Sequence, residues 1–229
     1  MSDEPMGYQD GSVPAYLVFC DVDETLIRCK SGVEFLRHYS EFRHGAEGLR
    51  GTEELLADLY ARLARGLPRE EANREYHRAW RRCPVDDVED RAREWYRERS
   101  RAADFYITAT VDALRRHRAE GAAVALVSGS FPSLLPLVAQ AVGAQYVLGG
   151  RLERCGRVLT GELLGRPAIG DGKAALVREL LARHPHIDAQ DCYAYGDHTS
   201  DLPMLHTVGH ATLVTPDGAH APVVQAAVL

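Results

Sequence analysis

Three short, almost wholly apolar runs, each stopping abruptly in a small polar loop with a helical pattern behind it, constrain this chain more than any other feature. They are Ala15-Tyr-Leu-Val-Phe-Cys20, Ala122-Ala-Val-Ala-Leu-Val127 and Asp191-Cys-Tyr-Ala-Tyr195. A strand with no polar face belongs in a sheet covered on both sides, which in practice means parallel strands joined by crossover helices. Repeated strand-loop-helix units predict an α/β protein built on an open, doubly wound parallel sheet. In such a sheet ligands bind outside the carboxyl ends of the strands, so the residues directly after each run should carry the chemistry.

The first run is followed at once by Asp21-Val22-Asp23-Glu24-Thr25-Leu26. Two carboxylates at the end of a buried strand are costly unless something binds them. Taken alone they fit equally a capped loop, in which Asp and Thr satisfy the free N–H groups of a helix start. The third run ends in Tyr195-Gly196-Asp197-His198-Thr199-Ser200-Asp201. Asp201 there lies about one helical turn beyond Asp197, so both carboxylates can face one cation. Capping explains either aspartate separately but makes no use of Asp21 and Asp23, whereas a Mg²⁺ site lined by hard oxygens uses all four.

The second run ends in Val127-Ser128-Gly129-Ser130, with a helix predicted from near Pro132. A hydroxyl, a glycine N–H and a helix N-terminus together form an anion site, and an ordinary serine cap is the alternative. Gly170-Asp171-Gly172-Lys173 precedes a helix predicted over 174–183, where Lys173 either meets a phosphoryl oxygen or lies in solvent. The segment is not a Walker motif. Pro167 stands where its first glycine would fall, and Ala174 where Ser or Thr is required.

Between about Ser31 and Ser100 strand-like runs vanish, Arg, Glu, Ala and Leu dominate, and Pro68 and Pro84 punctuate amphipathic helical patterns. The expected layout is a flexible leader over 1–14, a core domain from 15–30 and 102–229, and an inserted helical cap domain over 31–101. From Val147 to Leu163 the pairs Gly149-Gly150 and Cys155-Gly156 predict a short β excursion. A net charge of −6 over 229 residues argues against a nucleic-acid partner. No apolar run approaches ~18 residues and no basic, apolar leader opens the chain, so no membrane association is expected. The five cysteines are scattered, with no Cys-x-x-Cys pair, and read as reduced thiols in a cytoplasmic protein. A small molecule is the partner that remains; the pattern leaves the oligomeric state open.

In their order, and each at a strand end or helix start, these four segments resemble the four motifs of the haloacid dehalogenase (HAD) superfamily, over about Ala15 to Leu213. The resemblance implies a Rossmann-like core with Asp21 as nucleophile and Asp23 as general acid and base. Thr25 would support the nucleophile loop and the bound phosphate, Ser128 and the Gly129 N–H would hold phosphoryl oxygens, and Lys173 would neutralise them. Mg²⁺ would be held by the Asp21 side chain, the Asp23 carbonyl and Asp197, with Asp201 as a further ligand or directly behind. Asp23 favours a phosphatase, since dehalogenases of the superfamily lack this acid. The long interval between Asp21 and Ser128 places the cap in the first type, and its helical character with Val-Ser-Gly-Ser is similar to the phosphoserine-phosphatase-like branch.

Two positions depart from that branch. Lys30 stands where it carries an acid to meet the substrate amine, and His198 where a small residue is usual. Arg28, Lys30 and His198 are candidate substrate contacts, each with a structural alternative. The function implied is a Mg²⁺-dependent phosphomonoesterase acting on a small phosphate ester through an aspartyl phosphate. The alternatives are a phosphotransferase using the same intermediate, phosphoserine phosphatase proper, and a non-catalytic regulator. The last would be marked by loss of Asp21, Asp23 or Lys173, and all three are present.

Overall fold

The computed structural model describes residues 13–223. The predicted leader over 1–14 falls outside them except for its last two residues, as do residues 224–229 of the predicted core domain. β1 (Leu17–Cys20) lies in the middle of the sheet. It pairs in parallel with a later strand on each side, Leu17 opposite Ala123 and Val18 opposite Tyr193. All four residues of β1 are completely buried. Val18 and Cys20 face one core cluster while Leu17 and Phe19 face the other, the period-two alternation of a strand covered on both sides.

The helical insertion follows as α1 (Ser31–Ala64), α2 (Arg69–Arg78) and α3 (Val85–Arg99). α1 is interrupted at Gly45, whose φ of 61° and ψ of −150° are not helical. Pro68 and Pro84 each immediately precede a helix, with extended ψ of 138° and 131°, so the two prolines set where α2 and α3 begin. α4 (Thr108–Ala119) leads back to the sheet and β2 (Ala123–Ser128). α5 (Leu135–Val142) starts three residues beyond the expected Pro132, because residues 132–134 form turns first. The expected β excursion divides into β3 (Tyr146–Gly149), an edge strand of the main sheet, and a separate antiparallel hairpin, β4 (Arg151–Cys155) and β5 (Val158–Leu164). α6 (Asp171–Ala182), β6 (Tyr193–Gly196), α7 (Leu202–Leu205), β7 (His210–Val214) and β8 (His220–Pro222) complete the described chain.

The strand order is β3-β2-β1-β6-β7-β8, parallel except for β8, which runs antiparallel to β7. Since β2, β1 and β6 are neighbours, the loops after all three open side by side at one edge, at spacings of about 4.8 Å between strands. The helical insertion is packed onto the same core as the sheet. Trp80, fully buried, lies 4.2 Å from the Phe131 ring and 5.1 Å from Phe35, ring centre to ring centre, and Phe131 belongs to the loop after β2. The hairpin is tied to the insertion by main-chain hydrogen bonds. The Arg82 and Val85 N–H groups donate to the Leu159 and Arg157 carbonyls at 2.8 and 2.9 Å, and the Leu159 N–H donates to the Cys83 carbonyl at 2.9 Å. Among the described residues no helix is long and apolar enough to cross a membrane, and all five cysteines are unpaired.

Candidate active site

Asp21 is the first residue beyond β1, and its N–H donates to the Tyr195 carbonyl at 2.9 Å, which ties the end of β1 to the end of β6. The chain then folds sharply back. The N–H groups of Leu26 and Ile27 both donate to the Val22 carbonyl, at 2.9 and 3.0 Å, and Glu24 takes a left-handed φ of 62°. This tight loop buries Asp21 and Thr25 and separates the Asp21 and Asp23 side chains into different surroundings.

Asp21 meets Lys173. The Lys173 ammonium donates to Asp21 Oδ1 at 2.7 Å and to Asp201 Oδ1 at 2.6 Å, and all three side chains are nearly sealed from solvent. α6 begins at Asp171 rather than at Ala174, so Lys173 sits inside the first turn with its side chain turned inward. Of the two placements open to a first-turn lysine, the fold selects the buried one, at 3 % exposure. Asp201 is committed at both oxygens, since Oδ2 accepts the His198 N–H at 3.1 Å. Asp197 accepts at Oδ1 from the Thr25 hydroxyl at 2.9 Å. Among the described residues, Asp21 Oδ2 and Asp197 Oδ2 therefore have no protein partner.

Asp21, Asp197 and Asp201 each offer an oxygen, all within 4.8 Å of one another. Lys173 is the one cation bonded to them among the described residues. Burial, reinforced by Asp201 and Asp197, pushes Asp21 well above the usual carboxylate range against the pull of Lys173. Burial likewise raises Asp197. For Lys173 burial acts downward, and the two carboxylates it bonds outweigh it, so it lies above the ordinary lysine value. Three hard oxygen donors with an excess of buried negative charge and two free oxygens fit a small divalent cation of the Mg²⁺ kind.

Asp23 belongs to a different network. Ser31 Oγ donates to Asp23 Oδ1 at 2.6 Å, and the Ser130 hydroxyl lies 2.6 Å from Ser31 Oγ. The Ser31 and Ser130 hydroxyls thus form one hydrogen-bonded pair beside the Asp23 carboxyl. The Ser130 N–H in turn donates to Ser128 Oγ at 3.1 Å, which leaves the Ser128 hydroxyl hydrogen free to point into the cavity. Burial pushes Asp23 up to about 6 in spite of the Ser31 and Ser130 hydroxyls. Gly129 is held by the helical insertion, whose Asn73 side-chain amide donates to its carbonyl at 2.8 Å. A Cβ on Gly129 would come within 2.5 Å of the Ile169 side chain and 3.0 Å of the Ala168 carbonyl, so only glycine lets this loop pass.

These groups open into one cavity of about 410 Å³, walled by Asp21, Asp23, Ser128, Gly129, Lys173 and Asp197 at its polar end. Of the remaining residues singled out in the sequence, Lys30 and His198 also line it, whereas Arg28 and Thr25 do not. Arg28 is exposed, with its guanidinium beside Gly218. Thr25, fully buried, bonds Asp197 from outside the cavity. Ser31, Ser130 and Asn73 emerge only from the structure. Ser130 stood next to a recognised glycine, but Ser31 and Asn73 lie on helices in a segment whose residues look alike in sequence.

The family model described as haloacid dehalogenase-like hydrolase matches residues 18–206. A probable phosphatase of Mycobacterium tuberculosis is 30% identical over 207 residues, covering 87% of this chain and 68% of the relative. A phosphoserine phosphatase of the same organism is 31% identical over 212 residues, covering 87% of this chain and 64% of its own. The chain thus spans about two thirds of the length of these curated relatives. Among solved structures, a protein of unknown function from Bordetella pertussis Tohama I superposes with a TM-score of 0.74 at 25% identity, over 86% of this chain and 89% of that one.

Proposed function

This chain belongs to the haloacid dehalogenase-like hydrolases and is a phosphatase of that family, and from that premise we propose that it hydrolyses small phosphate monoesters with Asp21 as the nucleophile and Mg²⁺ as the cofactor. The observation that carries the proposal is the division of labour between the two loop carboxylates. Asp21 is bonded to an ammonium and keeps one oxygen free, while Asp23 hangs on a hydroxyl relay two residues away. One group attacks and the other moves a proton.

Phosphoryl transfer asks chiefly for alignment and for cations around the equatorial oxygens. Lys173 supplies a fixed ammonium, and the free hydroxyl hydrogen of Ser128 with the loop at Gly129 supplies donors on another side. Mg²⁺, when bound by Asp21, Asp197 and the neighbouring loop, supplies the remaining positive charge. One carboxylate oxygen of Asp21 attacks phosphorus as the ester oxygen departs with a proton from Asp23, leaving an acyl phosphate on Asp21. Asp23, now a base, takes a proton from the water that opens that acyl phosphate, which restores both carboxylates. Ser31 holds the Asp23 carboxyl in place for both steps.

Phosphate release from a panel of monoesters, with Mg²⁺ or EDTA, tests this directly. Asp21→Asn should reduce Mg²⁺-dependent release to that of buffer, and Asp23→Asn should lower it by about 10²- to 10⁴-fold. Undiminished turnover by Asp21→Asn would sink the assignment. Adding a simple alcohol tests transfer to an acceptor other than water. A phosphorylated alcohol formed in place of inorganic phosphate would make the protein a phosphotransferase on the same intermediate.

A further inference from the structure

The polar end of the cavity accounts for a phosphoryl group, but most of the opposite wall is apolar. Leu56, Leu59, Tyr60 and Leu63 of α1 all line it, and their spacing places them on one stripe of the helix. The stripe is shared between the core and the cavity: Leu56 and Leu59 are buried and Leu63 packs against the core, while all four also border the space above the catalytic groups. Val33 and Ala72 continue the same surface. Tyr60 is 43% exposed, a large aromatic left at the mouth. A cavity of about 410 Å³ is within the range that takes a drug-sized ligand, roughly 300–1,000 Å³.

The polar groups at the mouth are mostly donors. Lys30 lies 5.8 Å over the Tyr60 ring and 3.5 Å from Glu24, whose carboxylate it occupies. His198 accepts the Ser200 N–H at Nδ1, 3.0 Å away, so its proton is on Nε2. That Nε2–H lies 3.3 Å from an Arg69 guanidinium nitrogen, which is also a donor. Two donors facing each other attract an acceptor and repel an ammonium group.

We propose that the alcohol released by this phosphatase carries an apolar aryl or alkyl body, seated on the Leu56–Leu59–Tyr60–Leu63 stripe, and no amino group. The inference rests on the phosphatase function of the polar end, and its test separates the two. Binding of linear alkylphosphonates from methyl to hexyl to the Mg²⁺-loaded protein is measured by calorimetry, beside phosphate release from the matching alkyl phosphates.

Affinity should tighten by about threefold to fourfold for each methylene added, and propylphosphonate should bind more tightly than the similarly sized 2-aminoethylphosphonate. Tyr60→Ser and Leu63→Ser, at partly exposed positions, should flatten the dependence on chain length. A flat series, a preference for the amine, or an undiminished slope in both variants would overturn the inference. Turnover combined with a flat series would leave the phosphatase intact and remove only this substrate class. A steep binding series without turnover would keep the apolar site and overturn the hydrolytic role.

Discussion

Lys173 shows how one residue's burial changes its meaning. In sequence it is a lysine near a helix start, a place where solvent exposure is the rule. In the fold it is the ammonium between Asp21 and Asp201. Replacing it by methionine would leave those carboxylates facing one another with no cation, at a cost of about 3–5 kcal/mol. Urea denaturation of Lys173→Met in EDTA should show that loss, and saturating Mg²⁺ should recover part of it. A loss below about 1 kcal/mol would mean that the carboxylates are already neutral without the lysine. The acids of the site were legible because Asp21 and Asp197 follow apolar runs, with Asp23 and Asp201 at short spacings behind them, a pattern set by local chain order. Ser31 and Asn73 were not, because their roles depend on where helices pack. Thr25 and Arg28 do not line the cavity for the same reason: proximity along the chain to Asp21 does not determine on which side of the loop a side chain falls.

The elements were legible wherever a local rule governs them. Apolar runs marked β1, β2 and β6, prolines marked the starts of α2 and α3, and β7 and β8 went unread. The attachment of the β4–β5 hairpin to the insertion was not visible, since it uses main-chain groups that every sequence possesses. Gly161 is the residue that permits it. Its φ is 84°, and a Cβ there would lie 3.1 Å from the Arg78 Cα and 3.2 Å from the Arg78 carbonyl. Gly161→Ala combines a left-handed backbone with a tight approach to the Arg78 backbone, and should destabilise the protein by about 1–3 kcal/mol. Thermal denaturation checks it; an unchanged midpoint would show that the hairpin can lift away from α2 freely.

At the scale of the whole molecule, sheet and helical insertion share one core, and His77 is buried within it. Its Nδ1 lies 2.7 Å from the Asn73 carbonyl, its Nε2 has no partner, and its ring stacks on Phe131. Burial holds it down at about 4, against an ordinary value of 6.5 in the unfolded chain. The native state therefore refuses a proton that the unfolded state accepts. Its contribution to stability is intact above about pH 6.5 and is lost as pH falls toward 4, by up to about 3 kcal/mol. Comparing urea midpoints at pH 5 and pH 7 for wild type and His77→Phe isolates this term, because other groups titrate in both proteins. Equal pH dependence in the two would show that the histidine is not responsible.

The placement of β1 between β2 and β6 also bears on how the chain is made. The strand that leads into Asp21 leaves the ribosome well before its neighbours, and its two edges wait for Ala123 and Tyr193. Contacts so distant in sequence form late. Until β6 has emerged, a nascent chain presents Leu17–Cys20 with an open apolar edge, the kind of segment that invites wrong pairing. Ribosome-bound chains halted before residue 193 should thus recruit holding chaperones, and those halted well beyond it should release them.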